Sequence, residues 1–209
     1  MTAGRLRLPY LLGFVVLTGA VVATTGCGGS NAGSGASLST GTSTTPTTRS
    51  LTTGSTGIDP MPGAGTAPIV VHATNKRTAL LTAVRAARHE GFDRVVFEFR
   101  DALPGYDVRY VPKPLRQDGS GRIVPVSGAY VARIRMENAL DADLTKSTAP
   151  LTYRGRRRFS PPTPELVELV TTGGFEGILT WAAGLHDHVD FRVSTLRAPP
   201  RLVIDFRNH

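Results

Sequence analysis

The sequence has a single cysteine, Cys27, and this scarcity excludes several architectures at once. One cysteine cannot form an intrachain disulfide, and it cannot supply a cysteine-rich zinc site. Aromatic residues make up only 7% of the 209 residues, whereas hydrophobic residues make up 40%, which is ordinary for a globular protein. The chain is therefore expected to hold a packed domain without disulfide support.

Sequence motifs of the common enzyme classes are also missing. The sequence contains no GxSxG elbow, HExxH zinc motif, CxxC pair, GxGxxG loop or Walker-type Gly-Lys pair. Because the cysteine lies near the N-terminus, a cysteine nucleophile within the domain is excluded as well. We expect no catalytic residues, no metal ion and no cofactor.

The first 27 residues are typical of an export signal. Arg5 and Arg7 provide a positively charged start, and residues 8–22 are almost wholly apolar. At about 1.5 Å per residue, this apolar stretch is too short to cross a bilayer core of about 30 Å as a permanent helix. The pattern predicts secretion rather than a membrane-spanning anchor.

The small residues just before Cys27 resemble the lipobox of bacterial lipoproteins, in which the cysteine is diacylated and becomes the mature N-terminus. Thr24 departs from that pattern, which usually has a larger aliphatic residue there. The alternative is a simple cleavage site followed by an unmodified cysteine. Because two acyl chains hold a protein stably on a bilayer, we expect a lipid-anchored, extracytoplasmic chain on the outer face of the membrane.

Residues 28–66 have the composition of a disordered linker. Gly, Ser, Thr and Pro account for 29 of these 39 residues. Such a segment cannot bury enough apolar surface to offset its ordering entropy. We expect a flexible tether with a root-mean-square span of roughly 35 Å. Its threonines either carry O-linked sugars or are bare.

Residues 67–209 are expected to form the folded domain, with the pattern of an all-β protein. Apolar and polar residues alternate in residues 93–100, 130–137 and 201–207, as half-buried antiparallel strands require. Shorter strand candidates are residues 69–72, 106–111, 122–126, 175–181 and 191–196. Glycine and proline turns separate these segments, which predicts an antiparallel β-sandwich or barrel with little helix.

Several segments fit more than one structure. Residues 80–87 fit both helical and alternating spacing, and residues 166–170 have helical spacing after Pro164, a residue that suits a helix start. Residues 139–144 are expected to form a further turn. The only tryptophan, Trp181, is either a sugar-stacking platform or a core residue, and apolar neighbours on its predicted strand face, residues 175–181, favour the core.

Two local clusters suggest metal binding, and each also fits a simpler structure. Asp141 and Asp143 begin like a calcium loop, but Lys146 occupies the position that needs glycine, which favours solvated acids in a turn. His186 and His188 would share a face on a strand and hold a metal with a third ligand. The same residues fit a polar loop between two strands.

Some acids are candidates for a glycosidase pair by residue type alone: Glu98, Asp101, Asp107, Glu137 and Glu176. Sequence spacing across a sandwich brings no pair of them together. Glu98 alternates with arginines, so we expect it to form a cross-strand ion pair worth under about 1 kcal/mol.

The remaining signal is an excess of arginine. Residues 67–209 hold 21 basic and 15 acidic residues. Guanidinium groups suit the recognition of carboxylates and phosphates. The predicted binding residues are Arg133 and Arg135, on one strand face, and Arg154, Arg156, Arg157 and Arg158, in one loop. The alternative is a solvated basic surface. For an exported chain the polyanions are lipid headgroups, teichoic-type polymers and wall-peptide carboxylates, and nucleic acid is not an expected partner.

Three segments carry a resemblance when taken in order: residues 91–99, 104–111 and 199–206, with residues 174–177, Trp181 and Gly184 fitting between them. Their order resembles the AMIN-like domain of exported lipoproteins in high-GC Gram-positive bacteria. That domain is a relative of the AMIN domain that precedes some cell-wall amidases and secretins. The resemblance implies a sandwich of two antiparallel sheets, and it favours a strand for residues 80–87. It also implies a non-catalytic role in envelope localisation, often through peptidoglycan binding.

These observations predict a lipid-anchored binding module without enzymatic activity. Its expected ligand is a cell-envelope component such as peptidoglycan or another anionic wall polymer. One alternative is a protein–protein adaptor that uses a sheet edge or an apolar patch. The other is an envelope hydrolase whose site has no familiar motif.

Overall fold

Strands provide all the regular structure in the part of the chain that can be described. The computed structural model describes residues 59–74 and 76–209, and these contain eleven strands and no helix. The strands are β1 (Ile69–Val71), β2 (Ala79–His89), β3 (Phe92–Arg100), β4 (Gly105–Tyr110), β5 (Tyr130–Glu137), β6 (Ala139–Leu140), β7 (Arg158–Phe159), β8 (Leu166–Phe175), β9 (Ile178–Leu185), β10 (Phe191–Arg197) and β11 (Pro200–Arg207).

Two sheets pack face to face. One has six strands in the order β1-β4-β5-β9-β8-β7, and the other has five in the order β10-β11-β3-β2-β6. Among the described strands every pairing is antiparallel except that of β2 with β6. The prediction of an antiparallel β-sandwich is confirmed.

The main core lies between the two sheets and follows the predicted alternation. Val95, Phe97 and Phe99 of β3 point inward, and the ring of Phe97 meets Trp181 of β9 edge-on, with ring centroids 5.7 Å apart. Trp181 is buried, so its prediction as a core residue is confirmed. Because the aromatic side chains fill the space between the sheets, the domain needs no disulfide for its core.

One buried carboxylate ties the two sheets together at an end of the sandwich. Asp93 of β3 is fully buried, and its Oδ2 accepts hydrogen bonds from the backbone N–H groups of Glu165 (2.7 Å) and Leu166 (2.9 Å), at the start of β8. Its Oδ1 accepts a hydrogen bond from Asn208 Nδ2 at 2.6 Å. A carboxylate that accepts several hydrogen bonds offsets the cost of its burial.

A second buried carboxylate links three strands of the five-stranded sheet. Asp205 of β11 lies beside Arg94 of β3, whose Nε and Nη2 donate to it at 2.7 and 3.0 Å, and Arg192 of β10 donates at 2.8 Å. Burial alone would raise the pKa of Asp205, but the hydrogen bonds from the two arginines outweigh burial and hold this pKa below its ordinary value. Both Arg94 and Asp205 come from the segments that carry the family resemblance, and both stabilise the fold.

Bulges explain the two segments whose spacing was ambiguous. Residues 166–170 belong to strand β8, so the helical prediction is wrong. A register shift between Leu166 and Glu168 brings Leu166 and Leu169 to the core, which imitates helical spacing. A similar shift follows Leu81 in β2, and the strand favoured there by the family resemblance is confirmed.

Other predicted segments differ from the structure at turns. Residues 175–181 are not one strand, because Glu176 and Gly177 adopt φ values of 50° and 77° and form the tight turn between β8 and β9. Residues 122–126 form no strand beyond a single bridge at Ile123. Residues 139–144 are not a simple turn, because Ala139 and Leu140 pair with β2.

The folded part begins before the predicted boundary at residue 67. Residues 59–66 were assigned to the linker by composition, yet Met61 is fully buried. Gly65 exchanges two backbone hydrogen bonds with Phe191 of β10, at 3.1 and 2.9 Å. Arg207 of β11 also donates to Asp59 at 3.0 Å. A buried side chain, a backbone pairing and an ion pair therefore hold this short segment on the sandwich.

The predicted export signal, Cys27 and the linker up to residue 58 lie outside the described residues. None of the described segments is a helix that could span a membrane. The described residues all fall within one compact unit. A chain that begins at residue 28 therefore retains every described strand and the whole core.

Replacing Asp93 with alanine should lower the free energy of unfolding by about 2–4 kcal/mol, because two buried N–H groups and the Asn208 amide lose their acceptor. Denaturant titration of a chain that begins at residue 28 measures this loss. Glu90→Ala, an exposed acid three residues away, is the control and should change stability by less than about 0.5 kcal/mol. Equal stability of Asp93→Ala and the unsubstituted chain would contradict the role of this tie.

Candidate functional site

A loop covers part of the outer face of the six-stranded sheet. The covering loop, residues 111–129, connects β4 to β5 and buries a second, smaller apolar cluster formed by Leu115, Val131, Val170 and Ala182. In an isolated sandwich this face would be open to solvent. The covering loop therefore makes a third layer on this sheet and sets the shape of the surface.

An ion pair holds the covering loop on the sheet. Glu168 Oε1 accepts a hydrogen bond from Arg158 Nη1 at 2.5 Å, and Glu168 Oε2 accepts one from the backbone N–H of Ser127 at 2.9 Å. Arg158 Nη2 also donates to the Pro125 carbonyl at 2.8 Å. Two strands and the loop thus meet at one buried carboxylate. We call this arrangement the Glu168 clasp.

The tip of the covering loop is fixed by polar contacts of its own. Thr180 of β9 donates its hydroxyl to Asp118 Oδ2 at 3.0 Å, which places the tip over the centre of the sheet. Arg122 Nη2 donates to Gln117 Oε1 at 3.0 Å, and Arg116 donates to the Gly121 carbonyl at 3.0 Å. The partners of these two arginines are neutral oxygens, so their positive charges are not cancelled.

A groove of about 460 Å³ runs between the covering loop and the short strand β7. We call it the arginine groove, because Arg122 lines one side and Arg157 and Arg158 line the other. Its floor is β8 at residues 170–174, where two threonines are followed by two glycines. Because β7 has only two residues, no strand among the described residues pairs with β8 on this side beyond Thr171, and the β8 backbone forms part of the groove.

The two arginines predicted on β5 lie on the same outer face, farther across the sheet. Arg133 stands directly opposite Arg109 of β4, and the two share one carboxylate, Asp107, at 3.6 and 2.6 Å. Arg135 donates to Glu137 at 2.8 Å. A hydrogen bond with His72, together with the one from Arg135, holds the pKa of Glu137 below its ordinary value.

The strand register relates these arginines to the groove. Arg135 pairs with Thr180 of β9, and Thr180 pairs with Gly173 on the groove floor. Neighbouring strands are about 4.8 Å apart, so Arg135 lies about 10 Å from the groove floor along the sheet. The structure thus places four of the predicted binding residues, Arg133, Arg135, Arg157 and Arg158, on one face.

The other two predicted binding residues, Arg154 and Arg156, lie outside the groove in an exposed turn before β7. The Tyr153 hydroxyl donates to the Arg156 carbonyl at 2.6 Å and closes this turn. A Cβ at Gly155 would lie 2.6 Å from the Tyr153 ring, so the turn requires glycine there. The four arginines between residues 154 and 158, which are close together in sequence, therefore lie on two different surfaces.

Arginines contact most of the acids considered for a catalytic pair. Glu98 pairs across the strands with Arg85, which confirms the ion pair predicted from the alternation. Asp107 and Glu137 lie between the arginines of the outer face described above, and Asp101 pairs with Arg100 at 3.1 Å. Glu176 lies in the turn between β8 and β9. Four of the five acids therefore form ion pairs with arginines: Glu98, Asp101, Asp107 and Glu137.

The acids of the calcium-like sequence are not both solvated, as the simpler interpretation expected. Asp143 is buried, and its Oδ1 accepts hydrogen bonds from the Thr145 hydroxyl (2.5 Å) and backbone N–H (3.2 Å), while Oδ2 accepts one from Arg100 at 2.9 Å. The Thr145 contacts and the Arg100 contact lower the pKa of Asp143. The prediction failed because Arg100 is 43 residues away in sequence.

The histidine cluster lies in the loop between β9 and β10, as the alternative to a strand predicted. The ring of His188 lies between Tyr110 and Tyr130, with centroid separations of 4.1 and 5.4 Å. In residues 59–74 and 76–209, no three His, Cys, Asp or Glu side chains are placed to hold a metal ion. His188 instead belongs to a cluster of tilted rings with Tyr110 and Tyr130.

Two residues of the candidate site were missed by the sequence analysis. Glu168 is a buried acid within the apolar run of residues 166–170, and an acid in such a run indicates a buried partner of opposite charge. Arg122 carries no such signal, because its place in the groove depends on how the covering loop crosses the sheet. The spacing of neighbouring residues in the sequence does not predict the contacts of Glu168 or Arg122.

Comparison with known proteins gives one match. A family model described as the AMIN-like domain matches residues 79–208, which include all of the strands except β1. No curated protein and no solved structure shows a significant match to the chain. The matched range includes Asp93, Arg94 and Asp205 of the fold and the arginines that line the groove.

Proposed function

The chain belongs to the AMIN-like domain family, and from that membership we propose that it is a non-catalytic module that binds an anionic polymer of the cell envelope. The proposed binding surface is the outer face of the six-stranded sheet. In this proposal the chain is exported and a diacylated Cys27 holds it on the outer face of the membrane.

The arginine groove is the observation that carries this proposal. The groove is open to solvent and lies beside the part of β8 that has no strand partner among the described residues. Three guanidinium groups line it. Within residues 59–74 and 76–209, the side chain of Arg122 has a neutral partner, Gln117, and no carboxylate partner, so its charge is available to a ligand. The hydroxyls of Thr171 and Thr172 and the backbone of the two glycines add polar contacts for an extended chain.

The charge balance of the same face supports an anionic ligand. Arg109 and Arg133 share the single carboxylate of Asp107, so this group keeps a net positive charge. The Nε of Arg133 is buried and has no hydrogen-bond partner within the described residues. An unpaired buried donor is costly, so Arg133 is not fully satisfied by the contacts that the described residues make with it.

The chemistry fits a polymer better than a small anion. One exposed ion pair contributes about 0.2–1 kcal/mol, so tight binding requires several contacts made together. The groove and the β5 arginines are about 10 Å apart along the sheet, a separation that one extended polymer with repeated carboxylates or phosphates can span. Peptidoglycan peptides and teichoic-type polymers share this chemistry.

The tether supports this arrangement by its length. Residues 28–58 would reach about 110 Å when fully extended, which lets an anchored domain move away from the membrane surface. Anchoring also raises the effective concentration of the domain near the wall, so weak contacts suffice. The proposal therefore needs only modest affinity at the groove.

Replacing Cys27 with alanine should release the chain from the membrane or block its processing, because no acyl chain can then be attached. Detergent-phase partitioning of cell fractions measures the outcome, and the unsubstituted chain should enter the detergent phase. If Cys27→Ala partitions as the unsubstituted chain does, the proposed anchor is wrong. Binding of the purified domain to walls is independent of this result.

Replacing Arg122 and Arg157 together with glutamine should weaken binding to purified wall sacculi about tenfold, because two cationic contacts are lost. Co-sedimentation of a chain that begins at residue 28 measures this affinity. Binding of the unsubstituted chain should also fall as salt is raised from about 0.05 to 0.5 M, since salt screens exposed charges.

The matched control is Arg88→Gln with Arg197→Gln, which removes the same charge from exposed positions on the five-stranded sheet. This control should change the affinity less than twofold. Equal losses in the two double variants would show that net charge alone drives binding and would overturn the assignment of the face. No retention on sacculi at low salt would overturn the proposed function itself.

A further inference from the structure

A short hairpin projects from the sandwich between β6 and β7. In this leucine hairpin, residues 141–152, the backbone N–H of Asp143 donates to the Pro150 carbonyl at 2.9 Å, and that of Thr152 donates to the Asp141 carbonyl at 2.8 Å. Ala142 and Leu151 form an isolated bridge between its two sides. The residues of its tip, 144–149, are all exposed.

The leucine hairpin exposes two large apolar side chains. Leu144 is 62% exposed at the tip, and Leu151 is 51% exposed on the opposite side of the hairpin. A single exposed leucine is ordinary, but two on one projecting segment mark a surface that is covered when it functions. The solvent exposure of these leucines therefore indicates a partner.

Cationic side chains surround both leucines. Leu144 lines a groove of about 580 Å³ with Lys76 and Arg77, and Leu151 lines a groove of about 390 Å³ with Arg154. Within the described part of the chain, these three cations have no carboxylate within 4 Å. The groove at Leu144 also holds Asp101 and Asp143, and both pair with Arg100. Lys76, Arg77 and Arg154 therefore leave positive charge beside the leucines.

The acids of the leucine hairpin do not cancel this charge. Asp141 pairs with Arg157 at 2.5 Å, and Asp143 pairs with Arg100 at 2.9 Å. Lys146 lies 3.9 Å from Asp143, a carboxylate that Arg100 already neutralises. The tip therefore carries Leu144 and Lys146, and Leu151 lies on the other strand of the hairpin.

The base of the leucine hairpin is held firmly. Asp143 is buried under the tip, and Tyr153, the residue after the hairpin, packs edge-on against Trp181 with ring centroids 5.9 Å apart. Little conformational entropy is lost when a surface held in this way binds a partner. The hairpin and the adjoining turn at Arg154 and Arg156 form one continuous, preformed surface.

We propose that this surface docks on an anionic lipid bilayer. Leu144 and Leu151 enter the boundary between headgroups and acyl chains, and nearby cations contact the headgroup phosphates: Lys76, Arg77, Lys146, Arg154 and Arg156. Apolar tips surrounded by flexible basic side chains match a deformable anionic interface. A protein partner would need about 800 Å² of complementary surface on each side, whereas these leucines stand apart on a narrow tip.

This inference rests on the proposed export of the chain to a membrane face, but it does not rest on wall binding. Arg154 and Arg156 act here on lipid, whereas Arg122 lines the groove for the wall polymer, and Arg157 lies between the two surfaces and lines both grooves. Docking would hold the domain on the bilayer, and wall binding would hold it at the end of the extended tether. The two surfaces would thus hold the domain at two different distances from the membrane.

The test uses a chain that begins at residue 28, which has neither the apolar signal segment nor an acylated cysteine. Flotation with phosphatidylglycerol-containing vesicles should show binding, and vesicles of phosphatidylcholine alone should bind at least tenfold more weakly. Leu144→Ala with Leu151→Ala should weaken binding to the anionic vesicles about tenfold. Leu196→Ala, on β10 and 46% exposed, is the matched control and should change binding less than twofold.

The charge contribution is measured separately. Arg154→Gln with Arg156→Gln should lower binding about tenfold and flatten its dependence on salt, whereas the leucine variant should keep the salt dependence. Leu144→Trp places a reporter at the tip, and its fluorescence should shift to the blue only with anionic vesicles. The leucine variant should still bind sacculi, which separates this result from the test of wall binding.

Absence of binding to the anionic vesicles would overturn the proposal and would leave a protein partner as the occupant of the leucine surface. Equal losses for the leucine variant and Leu196→Ala would also overturn it. If the unsubstituted chain binds anionic vesicles but does not bind sacculi, the proposed function is wrong and the proposed membrane-docking surface is unaffected.

Discussion

The Glu168 clasp is the interaction on which the candidate site depends. Both oxygens of this buried carboxylate are used, one by Arg158 and the other by the backbone of Ser127. The clasp joins β7, β8 and the covering loop, so the loop lies on the sheet as one wall of the arginine groove. An unpaired buried carboxylate would cost several kcal/mol, and the pairing with Arg158 is therefore tightly coupled to folding.

The arginine excess of the sequence serves two purposes that composition alone does not separate. Arg94 and Arg192 stabilise the buried Asp205, and Arg158 completes the clasp, so these arginines mainly support the fold. Arg122 and Arg154 have no acidic partner among the described residues and leave positive charge at the surface. The residues without carboxylate partners leave the most positive charge for a ligand, whether the ligand is a wall polymer or a lipid headgroup.

Alternation in the sequence predicted the strands that have one buried face, such as β3 and β5, because period-two spacing follows directly from strand geometry. It also predicted β11, in which Val203 and Asp205 on the other face are buried as well. It failed in residues 166–170, where a bulge changes the spacing, and at Glu176, where a tight turn divides an apolar run. Both failures come from backbone irregularities that side-chain polarity does not encode.

The candidate site was harder to predict than the fold. Arg133 and Arg135 could be placed on a polar strand face from their spacing, and the structure agrees. The adjacent arginines at residues 154–158 looked like one cluster, but the closed turn at Tyr153 separates Arg154 from the groove. Glu168 was missed because its contacts are made across 10 and 41 residues of sequence. Arg122 was missed because its place in the groove depends on the path of the covering loop.

The most direct test of the central claim is a hydrogen-exchange map of the domain with and without its ligand. A chain that begins at residue 28 would be compared alone and with soluble fragments of purified wall. The account predicts slower amide exchange at residues 117–125 and 171–174, on both sides of the arginine groove, and unchanged exchange in β10 and β11. Protection confined to the five-stranded sheet, with binding intact, would contradict it.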